Sequence, residues 1–110
     1  MSTRIDEIKE IVALAPNDPF PLYGLAMAYR NSGDFAQAKD TFARLGERFP
    51  EYVPQYLMHG QLLAQDLKDR AAAKQVLEVG IERARAARNH HALSEMQSLL
   101  DRLDEDDDQV

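Results

Sequence analysis

Residues of like character recur in this chain 34 positions apart: Pro16 and Pro50, Ile8 and Phe42, Ile11 and Leu45, Leu22 and Tyr56, Ala26 and Gly60, Tyr29 and Leu63. Apolar positions that return at one fixed offset mean that one short motif is built more than once. This period is that of a helix–turn–helix unit. Such a unit cannot bury its apolar face alone, so successive units must stack, and about three are needed for stability. The constraint is strong because the chain has only 110 residues, which is one domain by length.

Prolines, glycines and capping residues divide the chain into helices. Thr3 with Asp6 has the form of a capping box and opens a helix that stops before Pro16. Asp18-Pro19 reads as an N-cap followed by proline at the first helical position. That second helix runs to about Ser32, with Gly33 placed as its C′ residue and Asp34 as the cap of a third helix ending at Pro50. A fourth helix starts near Pro54 and meets a polar break over residues 66–69. A fifth carries Ala73, Leu77, Gly80 and Ala84, and a sixth, after Asn89, carries Leu93, Met96, Leu99 and Leu103. No segment alternates with period two, so the expectation is all-α, with about six helices joined by short loops and running antiparallel in pairs.

The stretch PFPLYGLAMAYRNSGDFAQAKDTFARLGERFP, Pro19–Pro50, resembles the tetratricopeptide-repeat family. Leu22, Leu25-Ala26 and Tyr29 match its first helix, Gly33-Asp34-Phe35 its turn, and Ala38, Phe42 and Pro50 its second helix and end. The next unit is a weaker match. Tyr56, Gly60 and Leu63 fit, but His59 replaces a leucine, the Gly-Asp-aromatic turn is missing, and Ala73, Leu77 and Gly80 fit only with one inserted residue in the turn. The resemblance implies a right-handed superhelical stack of helix pairs in a single domain, residues 1–104. Within it residues 3–15 form a half unit, 19–52 a first full unit, 53–88 a second full unit and 90–103 a capping helix. Residues 105–110 are expected to be an acidic disordered tail. Ala26 and Ala38 are small where paired helices approach closely, and Gly60 is expected to face Ala72 or Ala73 in the same way.

Family members hold peptides in a concave groove lined by first helices. Carried over by position, that groove falls on Phe20, Tyr23, Met27, Arg30 and Asn31 in the first unit and on Leu57, Gln61 and Gln65 in the second. The implied function is a non-catalytic protein-binding scaffold. The clamp by which some members hold carboxyl-terminal carboxylates needs lysine, arginine and asparagine there. Tyr23, Met27 and Leu57 occupy several of those positions, so such a clamp is not expected. The alternative is self-association. The first helix is apolar over nearly half its circumference, and Ile5, Ile8, Ile11 and Leu14 would form a homodimer interface if no partner helix covers them.

Other chemistry finds little support. The chain has no cysteine, which removes disulfides, thiol catalysis and thiolate zinc sites. Its net charge is −6, with six acids against one base in residues 101–110, so neither nucleic acid nor an anionic membrane is an expected partner. Lys74, Arg83, Arg85 and Arg88 are interleaved with Glu78 and Glu82 and read as a solvated helix surface. His90 and His91 are adjacent and point apart on a helix, and His59 aligns with a core position, so no metal site is expected. No serine–histidine–aspartate spacing or phosphate loop is present, and no catalysis or cofactor is expected. With no apolar leader visible, a cytoplasmic location is expected.

Overall fold

The computed structural model describes residues 3–108. Six α-helices follow in order: α1 (Arg4–Leu14), α2 (Pro19–Asn31), α3 (Phe35–Arg48), α4 (Pro54–Gln61), α5 (Arg70–Ala86) and α6 (His90–Asp108). A π turn, Leu62–Asp66, continues α4, and the described residues contain no strand. The chain divides into two compact units, residues 1–52 and 53–110. The division falls where the first full repeat ends, as expected when each helix touches mainly its sequence neighbours.

The caps explain why the helices start and stop where they do. Thr3 Oγ1 accepts from the Asp6 amide at 3.0 Å, and the Thr3 amide donates back to the Asp6 carboxylate at 3.2 Å. That backbone N–H, followed by the Thr3 hydroxyl, holds the Asp6 carboxyl below its ordinary range. Asp18 caps α2 by accepting from the Phe20 amide, with Pro19 in the first turn. At the end of α2, Gly33 takes φ +85°, its amide donates to the Arg30 carbonyl, and the Asp34 amide donates to the Tyr29 carbonyl at 2.9 Å. Asp34 then turns its carboxylate to the Gln37 amide and starts α3. One helix is closed and the next opened within two residues.

The same device recurs at Lys68-Asp69 and Arg88-Asn89. Asp69 donates its amide to Leu63 and caps Ala72, while Asn89 donates to Ala84 and caps Ala92. Lys68 and Arg88 take the left-handed position at φ 56°, which costs an L side chain about 1 kcal/mol that glycine escapes. Lys68→Gly and Arg88→Gly are each expected to stabilise the chain by about 0.5–1 kcal/mol in urea denaturation. The gain is reduced by the greater freedom of unfolded glycine.

In the first unit, Leu22, Leu25, Ala26 and Tyr29 of α2 are buried, as are Ala38, Thr41, Phe42 and Leu45 of α3. Ala26 and Ala38 are fully inaccessible, as close approach of the pair requires. No residue of α1 is fully buried. In the second unit, Val53, Tyr56 and Leu63 pack with Ala73, Leu77, Ile81 and Ala84 of α5 and with Met96, Leu99 and Leu103 of α6. Glycines mark its crossings. A Cβ on Gly60 would lie 2.7 Å from Leu77 Cδ2, so the residue facing Gly60 is Leu77, about one turn beyond the expected Ala72 or Ala73.

The extra residue of the second repeat lies in the π turn that continues α4, not in the loop that follows it. Tyr29 and Leu63 are 34 apart, whereas the caps Asp34 and Asp69 are 35 apart. The insertion therefore falls between Leu63 and Asp69. There the Leu67 amide reaches back five residues to the Leu62 carbonyl, the hydrogen bond of a π turn.

At the other end, α6 continues to Asp108, past the expected stop at residue 103 and through most of the expected disordered tail. No glycine or proline interrupts it. Gln97 Nε2 donates to Asp101 at 2.9 Å, and Lys74 Nζ pairs with Asp104 at 3.0 Å. Residues 109 and 110 of that expected tail lie outside the described residues.

Candidate protein-binding faces

At about 100° per residue, Phe20, Tyr23, Met27, Arg30 and Asn31 share one side of α2, away from Leu22, Leu25, Ala26 and Tyr29. Phe20 is 66% exposed, Asn31 is exposed, and Tyr23, Met27 and Arg30 are half-buried. Tyr23 is held from two sides. Its ring meets Phe42 edge-on at 6.4 Å between centroids and Tyr52 at 5.5 Å and 60°. Burial raises the Tyr23 phenol above its ordinary value. Burial raises Tyr52 as well, helped by Tyr23 and Asp18. Both phenols therefore stay neutral at physiological pH. A large apolar ring with a neutral hydroxyl, already fixed by its neighbours, loses little conformational freedom when a partner covers it. Tyr52 was missed in the sequence because it lies past the end of α3, off any helical period.

In the second unit, Leu57 and Gln61 of α4 are half-buried and line a cleft of about 270 Å³. Its other wall is α6: His91, Ser94, Glu95, Ser98 and Arg102. His91 Nε2 lies 2.5 Å from Glu95 Oε1. Gln65 is exposed in the π turn and is not among the cleft residues. The helix expected only to cap the stack thus supplies a polar wall with hydroxyl and guanidinium donors. Its sequence signal is the polar series 91, 94, 98, 102 at helical spacing, beside the apolar series 93, 96, 99, 103.

The remaining candidate positions separate. Ile5 and Ile8 are half-buried, while Ile11 is 52% exposed and Leu14 84% exposed. The apolar stripe of α1 is therefore split between a packed edge and an open one. His59 is half-buried, and His90 is exposed. Arg85 pairs with Glu82 and Lys74 with Asp104, so these bases of α5 are partnered by acids.

Capped helical hairpins repeated at this period define a helical-repeat protein. The comparisons with known proteins name the family. The tetratricopeptide repeat profile matches residues 22–52. The solution structure of a tetratricopeptide repeat domain protein from Salinibacter ruber is 32% identical, covering 80% of this chain and 88% of that one at a TM-score of 0.75. A crystal structure of a tetratricopeptide repeat domain protein from the same organism is 30% identical over 79% of this chain and 96% of that one, with a TM-score of 0.72. A Bordetella parapertussis protein solved in solution shares the fold at a TM-score of 0.81 and 23% identity, over 97% of this chain and 92% of that one. No curated protein matches the chain. The chain belongs to the tetratricopeptide-repeat family. Among the described residues no helix is long and apolar enough to cross a membrane.

Proposed function

We propose that this chain is a non-catalytic scaffold that binds a peptide or another protein through the outward face of α2, with the outward face of α4 as a separate contact in its own unit. Repeats of its family generally serve as protein–protein interaction modules. The observation that carries the reading for this chain is Tyr23, partly exposed beside Phe20 and Met27 and fixed edge-on by Phe42 and Tyr52. Rigid aromatic and methionine side chains on an accessible face have the character of binding hot spots. Leu57 and Gln61 offer a second, more polar contact. A cytoplasmic setting is part of the proposal and rests on the cysteine-free sequence.

The test compares partners captured by the wild-type chain and by Tyr23→Ala and Met27→Ala. Each substitution is expected to weaken capture by about tenfold or more, the loss typical of a hot spot. Unchanged capture by both variants removes α2 as the binding face.

The exposure of Ile11 and Leu14 favours a second reading, self-association through α1. Sedimentation of the wild-type chain against Leu14→Glu checks it. A species that stays monomeric as concentration rises eliminates this reading.

A further inference from the structure

The first unit carries a cleft that the proposed function does not use. It lies between α1 and α3, has a volume of about 680 Å³, and is floored by Val12, Leu25 and Tyr29. That volume is within the usual range for ligand sites, about 300–1,000 Å³. Three cations line it, Lys9, Arg44 and Arg48, against the single acid Asp40. The excess is not a consequence of composition, since the chain as a whole is acidic at net −6.

Two of the cations are held in place by neutral groups. Arg48 Nη2 donates to the Pro16 carbonyl at 2.7 Å, tying the end of α3 to the end of α1, and its guanidinium lies 5.3 Å from the Phe49 ring centroid. Lys9 Nζ stands 5.8 Å from the Tyr29 ring centroid. Neither contact neutralises the charge, although the Asp6 carboxylate, one turn before Lys9, interacts with it electrostatically. None of the three forms a salt bridge within the described residues, in contrast to Lys74 and Arg85.

We propose that the α1–α3 cleft docks an acidic segment of a partner protein, one that places an apolar side chain on the Val12–Leu25–Tyr29 floor and carboxylates on Lys9, Arg44 and Arg48. Leu25 and Tyr29 lie on the side of α2 roughly opposite Tyr23 and Met27. This site is therefore separate from the proposed binding face, and the two can be occupied at once.

The test uses the full chain and a panel of labelled hexapeptides with one or two leucines among aspartates and glutamates, read by fluorescence anisotropy. A panel with lysines in place of the acids is the control. Acidic peptides are expected to bind, more weakly as salt rises. The pair Lys9→Glu with Arg44→Glu is expected to weaken binding by about tenfold or more, and Tyr23→Ala to leave it unchanged. Amide shifts on titration should cluster at Lys9, Ala13, Gln37 and Arg44. Should the double variant lose helicity, Arg44→Gln, at an exposed position, carries the same comparison. No binding by the acidic panel, binding that survives charge reversal, or shifts clustered at Tyr23 and Met27 would each overturn the proposal. The last result would leave the proposed function standing.

Discussion

Phe42→Ala is expected to cost about 4 kcal/mol, the largest loss from any single truncation in the first unit. The ring is fully inaccessible and packs against the edge of Tyr23. Removal forfeits the transfer energy of a phenyl group and leaves a hole that the neighbouring helices fill only in part. Melting should fall by about 15 °C for a chain of this size, and amides of α1–α3 should lose exchange protection first. Phe42→Leu keeps most of the volume and should cost less than about 1.5 kcal/mol. The substitution also removes one of the two rings that position Tyr23, so near-ultraviolet circular dichroism from tyrosine should weaken even where the helices survive. A loss near zero in urea denaturation would mean that Phe42 is not in the core.

Gly80→Ala is expected to destabilise by about 2 kcal/mol, although helix propensity alone predicts a gain of about 1 kcal/mol. A Cβ at Gly80 would press on Tyr56 Cβ and on Met96 Sδ, the latter at 2.5 Å. Met96 can swing aside, but Tyr56 Cβ is fixed to its backbone, so α4 or α5 must shift. Gly60→Ala meets the flexible end of Leu77 and should cost less. Chemical denaturation of the two variants together checks the ranking. A stabilised Gly80→Ala protein would show that the two helices do not cross as closely as described.

The boundaries of the helices were legible because caps are local. Thr3 with Asp6, Asp18-Pro19 and Gly33-Asp34 carry their own hydrogen-bond partners within a few residues, and the sequence shows both members of each pair. The burial of Ala26 and Ala38 was legible for a related reason, since a helical period places each on the apolar side of its helix. What the sequence left open depends on distances across the fold. The one-residue insertion could be detected from the changed offset, but not assigned to a π turn. Leu77 faces Gly60 through the register of two helices, which no local pattern records. How far α6 runs was not legible, because no glycine or proline marks its end. On the binding side, sequence alignment brought Phe20, Tyr23 and Met27 to one face. Tyr52 and the polar wall of α6 emerged only once the elements were packed.

The reversal at Gly33-Asp34, repeated at Lys68-Asp69 and Arg88-Asn89, uses only the three residues between one helix and the next for each change of direction. At each bend the capping residue returns its amide to a carbonyl of the helix just ended, and its side chain accepts from an amide of the helix it opens. The path of the backbone through each corner therefore owes nothing to what the adjoining helices present outward. Such a scaffold lets outward positions drift under selection for new ligands while the corners stay as they are. It also suits grafting: a foreign recognition face can be written onto α2 without redesigning the turns that carry it.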